Sequence, residues 1–171
     1  MLIGVISDTH DNAQNLIKAF NVFNKKKVDL VIHCGDWVAP FMIDFCKELD
    51  FKIISVFGNN IGDKFRFIKK CQEKEFDIET NDSIAEIDLD GRKAIAFHGD
   101  PKQLLDSLIQ SQKYDVVFSG HTHKALIEKT GKTLHINPGS TCGIHGSEID
   151  AEITIAFYDT KTDNAEIVNL E

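Results

Sequence analysis

The stretch Leu2-Ile3-Gly4-Val5-Ile6-Ser7-Asp8-Thr9-His10 decides how this chain is read. A short apolar run that ends abruptly in polar residues predicts a buried strand whose carboxyl end opens into a loop. In an open α/β sheet that edge is where ligands bind. Asp8 and His10 stand two residues apart, so an extended backbone would send both side chains from one face. A carboxylate and an imidazole on one face make half of a site for a divalent metal. Alone, this pair is a weak signal that a solvated loop also explains. The rest of the chain has to complete the site.

The same unit recurs along the chain. Asn12 is placed to cap a helix whose Ala13, Leu16, Ile17, Phe20 and Phe23 form one apolar stripe. Lys25, Lys26 and Lys27 close it, where cations suit the helix dipole. Residues 28–32 predict a second strand, ending in His33-Cys34-Gly35-Asp36. Pro40 starts a further helix, with Phe41, Ile43, Phe45, Cys46 and Leu49 as apolar cover. Residues 52–57 predict a third strand, ending in Gly58-Asn59-Asn60. After a helical stretch over 64–74, residues 83–89 alternate and Asp90-Gly91 marks a hairpin turn into 93–97. That strand runs into His98-Gly99-Asp100. A helix after Pro101 and a strand over 114–118 follow, the latter ending in Gly120-His121-Thr122-His123. Strands and turns fill the remainder. The expected fold is α/β, a single domain over 1–171 built as a four-layer αββα sandwich of two packed sheets flanked by helices.

Composition agrees with one such domain. The 171 residues are 42% hydrophobic and 27% charged, enough to bury a core. A formal net charge of -8 argues against a general nucleic-acid or anionic-membrane surface. No apolar run approaches a membrane span, and Met1-Leu2-Ile3 begins a strand rather than a signal peptide, so a cytoplasmic protein is expected. Cys34, Cys46, Cys71 and Cys142 have no regular spacing and read as reduced, buried residues.

Five strand ends thus carry metal-type side chains: Asp8 with His10, Asp36, Asn59, His98, and His121 with His123. Glycine precedes Asp36, Asn59 and His121 and follows His98, permitting sharp turns and close backbone approach. In this order the motifs resemble the calcineurin-like metallophosphoesterase family. The chain length and Ile136-Asn137-Pro138-Gly139-Ser140 resemble its small YfcE-like phosphodiesterase branch. The resemblance covers essentially the whole chain. It implies Asp8, His10 and His123 on one metal, Asn59, His98 and His121 on a second, and Asp36 bridging them. The ligand types point to two divalent ions, manganese first, with iron, zinc and nickel as alternatives. Two cations about 3.5–4 Å apart acidify a water and clamp a phosphoryl group. The function implied is hydrolysis of small phosphodiesters by a metal-bound hydroxide, with Asp36, Asn59 and His98 acting through it. A phosphomonoesterase or nucleotide pyrophosphatase of the family stays open. So does a protein-binding scaffold resembling the small retromer subunit, and so does homo-oligomerisation.

The sequence departs from the family pattern beside this set. Many relatives place a histidine after the metal-binding asparagine, where it can protonate the leaving group; here Asn60 stands there. The small branch often has Asp one place later and His after His98-Gly99; here these are Ile61 and Asp100. Asn60, Asp100 and His145, in the glycine-rich loop 142–146, are therefore candidate substrate contacts. His33 is either a partner orienting a ligand or a satisfied strand histidine, His135 reads as structural, and Trp37 either lines the pocket or packs.

Overall fold

In the computed structural model, which describes residues 1–145, 148–149 and 151–170, the opening run forms β1 (Leu2–Ile6). Asn12 caps α1 (Ala13–Lys26), its side-chain oxygen accepting from the Asn15 amide at 3.1 Å. Leu16, Ala19, Phe20 and Phe23 bury this helix, whereas Ile17 of the expected stripe remains 40% exposed at its margin. β2 (Leu30–His33) and β3 (Lys52–Val56) lie parallel to β1, with Ile3 opposite Leu30 and Leu30 opposite Lys52. Between them the expected helix after Pro40 is only a 3₁₀ turn, Pro40–Phe45. With three residues per turn, Met42 and Phe45 face the core and Phe41 faces solvent rather than adding cover.

α2 (Lys64–Glu73) leads to β4 (Ile78–Asn81), parallel to β3. β5 (Ile84–Leu89) and β6 (Arg92–Phe97) form the hairpin expected around Asp90-Gly91. α3 (Lys102–Gln110) follows, then β7 (Val116–Phe118), β8 (Ala125–Thr130) and β9 (Thr133–Pro138). The two-residue strands β10 (Ile144–His145) and β11 (Glu148–Ile149) pair with each other before β12 (Thr154–Asp159) and β13 (Asn164–Asn169) return to the first sheet.

The strands make a six-stranded sheet, β13-β12-β1-β2-β3-β4, and a five-stranded sheet, β5-β6-β7-β9-β8. Strand alternation divides the core into layers. Ile6, Val31 and Ile53 pack outwards against Phe20, Phe23, Trp37 and Phe67 of the α1 and α2 side. Ile3, Val5, Ile32 and Val56 pack inwards against Ala94, Ala96, Phe118 and Ile136 of the second sheet. On that sheet's far side Leu105 of α3 covers Ile95, Phe97 and Val117. The αββα sandwich is therefore as expected. All four cysteines are free and buried. Among the described residues no helix is long and apolar enough to cross a membrane.

Candidate metal centre

The carboxyl ends of β1, β2 and β3 meet those of β6 and β7 at one end of the sandwich. Backbone bonds lock the meeting: the Asp8 amide donates to the Gly35 carbonyl and the His10 amide to the Asp36 carbonyl, both at 3.0 Å. From the second sheet, the His121 amide donates to Asp8 Oδ2 at 2.9 Å. Such close approach requires glycine at two positions. A Cβ on Gly120 would stand 1.8 Å from Ser7 Oγ, and one on Gly58 would stand 2.1 Å from Asp36 Oδ1.

The extended backbone expected through Asp8 and His10 is not observed. Asp8, His10, Asp36, His121 and His123 all have left-handed φ, between 39° and 68°. This conformation is costly for residues with a Cβ and persists only where surroundings enforce it. Here the chain must turn sharply out of each strand, and the bonds above hold it there. Asp8 and His10 converge because of that turn, not because of strand alternation.

The structure brings all seven candidate ligands together. Asp8 Oδ1 lies 3.3 Å from His123 Nε2 and 3.8 Å from His10 Nε2. Asn59 Oδ1 lies 2.8 Å from His98 Nε2 and 3.0 Å from His121 Nδ1. Asp36 Oδ2 stands between the groups, 3.4 Å from His10 Nε2 and 3.4 Å from His98 Nε2. Asp8 also lies close enough to Asp36 and His98 to share a cation with them.

These donors fit a divalent metal. Asp8 Oδ1 and His10 Nε2 are buried polar atoms with no hydrogen-bond partner, which is costly without a counter-charge. His98 Nδ1 faces the Cys34 carbonyl at 2.8 Å and His123 Nδ1 the Ile144 carbonyl at 2.7 Å. A carbonyl only accepts, so each Nδ1 carries the proton and each Nε2 is aimed into the cluster, the usual orientation of a ligating histidine.

Charge is tightly coupled within the cluster. Burial opposes ionisation of Asp8, but His10, His123, His98 and Ser7 hold its pKa well below the usual carboxylate range. Burial opposes Asp36 likewise, and His98 and Asn60 outweigh it, so its pKa is also lowered. Contact with Asp8 raises the pKa of His10 and lifts that of His123 to about 10. At His98 burial favours the neutral ring, yet Asp36 and Asp8 prevail and raise its pKa. Without metal these imidazoles take up protons, so cation and proton compete for the same nitrogens.

The residues around the cluster sort by contact. Asn60 is not poised as a free substrate contact: its amide N–H donates to Asp36 Oδ1 and its side-chain Nδ2 to Asp36 Oδ2, both at 2.8 Å. Asp100 is exposed in a small cleft beside Asn59 and His98. The His145 ring stands 6.3 Å from that of His123; Gly146 of its loop lies outside the described residues. His33 is fully buried, and its hydrogen bonds go to Thr9 and Gly35. Its Nδ1 accepts from the Gly35 amide at 3.1 Å, which leaves Nε2 to donate to Thr9 Oγ1 at 3.2 Å. Thr9 Oγ1 in turn donates to the Asp36 carbonyl at 3.2 Å. Trp37 is fully buried and packs: it stacks on His33 at 3.8 Å and donates to Ser55 Oγ at 2.8 Å. His135 is buried and pairs with Ser119 Oγ at 2.8 Å.

Sequence reasoning missed the place of Cys142 and the particular bonds made by the Asn137–Ser140 turn, which it had only as part of the family resemblance. Cys142 Sγ lies 3.7 Å from His123 Nδ1 and lines a cavity of about 610 Å³ with His10, Asn12, Ala13 and Ile144. Ser140 Oγ donates to the Asp8 carbonyl at 2.9 Å, and Asn137 Nδ2 donates to the Gly120 carbonyl at 2.8 Å. Polar residues closing a buried strand were the available signal for the turn; nothing in the spacing of Cys142 pointed to the site.

Residues 1–163 match the calcineurin-like phosphoesterase superfamily domain. The chain belongs to this family. A phosphodiesterase of Methanocaldococcus jannaschii is 38% identical over 98% of this chain and 99% of its own length. A solved archaeal phosphodiesterase superposes with a TM-score of 0.90 at 35% identity, covering 99% of this chain and 100% of the other. YfcE, a phosphoesterase of E. coli, covers 100% of both chains with a TM-score of 0.70 at 16% identity. Vps29 of Entamoeba histolytica, solved with zinc, also covers 100% of both, with a TM-score of 0.70 at 18% identity. At those identities the last two share the fold.

Proposed function

We propose that this family member is a phosphodiesterase that works with two divalent ions, manganese foremost and iron, zinc or nickel as alternatives, on a small diester. The observation that carries this reading is the place of Asp36 Oδ2, equally distant from His10 Nε2 and His98 Nε2 and so shared by two groups of donors. The likeness to a phosphodiesterase along nearly the whole chain favours diesters. When bound, a metal pair supplies an acidified water and a clamp on phosphoryl oxygens. The chain's own residues hold that arrangement. Asp8, His10 and His123 form one half-site and Asn59, His98 and His121 the other, with the Cys34 and Ile144 carbonyls fixing two of the rings. Asn59 contributes a neutral oxygen, which limits the negative charge of the second half-site. The complete donor set supports an enzyme over a scaffold of the same fold.

Metal analysis and kinetics test this. We expect two ions per chain at saturation and hydrolysis of bis-p-nitrophenyl phosphate faster than that of dialkyl esters, since the amide of Asn60, which is no acid, stands where a histidine could protonate the leaving group, and it is bonded to Asp36. General acid catalysis is typically worth about 10²–10⁴-fold. Asp36→Ala should lose more metal and activity than any other single ligand change. One ion at saturation, or faster cleavage of p-nitrophenyl monoester than of the diester, would overturn the reading.

A further inference from the structure

We infer that Asn60 is a positioning residue that sets the plane of the Asp36 carboxylate, and through it the affinity of the second ion. This rests on the metal-dependent reading above. Asn60 grips both oxygens of Asp36 at once, backbone N–H to Oδ1 and side-chain amide to Oδ2, each at 2.8 Å. Two bonds to one carboxylate fix its rotation about Cβ–Cγ, because any turn breaks one of them. The oxygen held by the side chain is the one set between His10 Nε2 and His98 Nε2. A carboxylate offers about four lone-pair sites, so the clamp uses one on each oxygen and leaves the others for cations. Gly58 closes the far side, since its backbone runs directly against Asp36 Oδ1. Asp36 is thus held between the Gly58 backbone and the Asn60 side chain, which is exposed at the mouth of the site.

The arrangement separates two roles that the position beside Asn59 could serve. A side chain spent on Asp36 Oδ2 contributes by holding a ligand, and its loss should appear in metal affinity. A side chain acting on the departing oxygen should instead appear in the dependence of rate on leaving-group pKa.

The test compares wild type, Asn60→Ala and Asn60→His, each stripped of metal and titrated with Mn2+ by calorimetry. A parallel series measures rates with aryl and alkyl diesters at rising Mn2+. Outer partners of metal ligands are typically worth about 10–100-fold in affinity. Asn60→Ala should therefore bind the weaker Mn2+ roughly tenfold or more less tightly. It should keep two sites and recover near-normal kcat when Mn2+ saturates. Asn60→His should retain most of the affinity, because its Nδ1 stands as many bonds from Cα as the Asn Nδ2 and can donate to the same oxygen. Wild-type Mn2+ affinity in Asn60→Ala would overturn the clamp. So would normal affinity combined with a selective loss of rate on alkyl diesters, which would assign Asn60 to the leaving group. Failure of the wild type to bind Mn2+, Fe2+, Zn2+ or Ni2+ in the same titration would instead overturn the metal reading itself, and the clamp with it.

Discussion

His33 is a buried side chain joined to the candidate site only through its neighbours, Thr9 and Gly35. Its ring is enclosed by Trp37, Thr9 and Gly35, and burial pushes its pKa down to about 3 although Asp8 and Asp36 pull the other way. The folded pKa lies below the unfolded value near 6.5, so in this window the unfolded chain binds the extra proton. The stabilising contribution is present above pH 6.5 and is lost as pH falls towards 3. Replacing His33 with Gln should flatten the acid-side slope of stability in chelator-treated protein by at most about 1.4 kcal/mol per pH unit. Denaturant melts at stepped pH check this, and parallel curves for the two proteins would refute it. The same variant loosens Thr9, whose hydroxyl supports the Asp36 carbonyl.

Elements matter here through where they stop. β7 is only three residues long, and its end carries Gly120 against the loop that follows β1. A methyl group at Gly120 would meet Ser7 Oγ and stand 2.6 Å from Asp8 Oδ2, so one of the two sheets' loops must give way. Overpacking of this kind typically costs about 1–3 kcal/mol. We expect Gly120→Ala to fold, with native far-ultraviolet circular dichroism, yet to bind Mn2+ at least roughly tenfold more weakly because Asp8 and His121 separate. Unchanged Mn2+ titration in that variant would show that the two sheets do not depend on this contact to form the site.

Across the whole molecule, the proposed metal centre would tie stability to metal. An ion that binds only the folded chain stabilises it by RT ln(1 + [L]/Kd), about 2.7 kcal/mol at a hundred times Kd. Chelation should lower the thermal midpoint, and adding back Mn2+ should restore it. The shift should also depend on pH. His10, His98 and His123 all have raised pKa values in the metal-free protein, so protons compete with the cation for these nitrogens more strongly as pH falls. The difference in midpoint between chelated and Mn2+-loaded protein should therefore shrink from pH 8 to pH 6. Calorimetric scans at fixed Mn2+ measure it, and a difference that grows on acidification would exclude imidazole ligation.

The sequence by itself determined the layers and the donor types. Apolar periodicity marks which face of each strand and helix must leave water, and that is enough to place the parallel strands, the Asp90-Gly91 hairpin and the two-sheet sandwich. Polar residues that interrupt such runs at Asp8, Asp36, Asn59, His98 and His121 identify one functional edge, because a core offers them nothing. Periodicity says nothing about backbone handedness, however, and so the left-handed turns at Asp8 and His10 emerged only from the loops that cross them. Nor does it say which neighbour a polar side chain chooses. Asn60 bonds Asp36 rather than facing substrate, Cys142 comes to His123, and His33 serves Thr9, each pairing residues from separate elements. Hydrogen bonds and charge contacts act over about 3–4 Å. Only the packing of one sheet against the other brings such atoms within that reach.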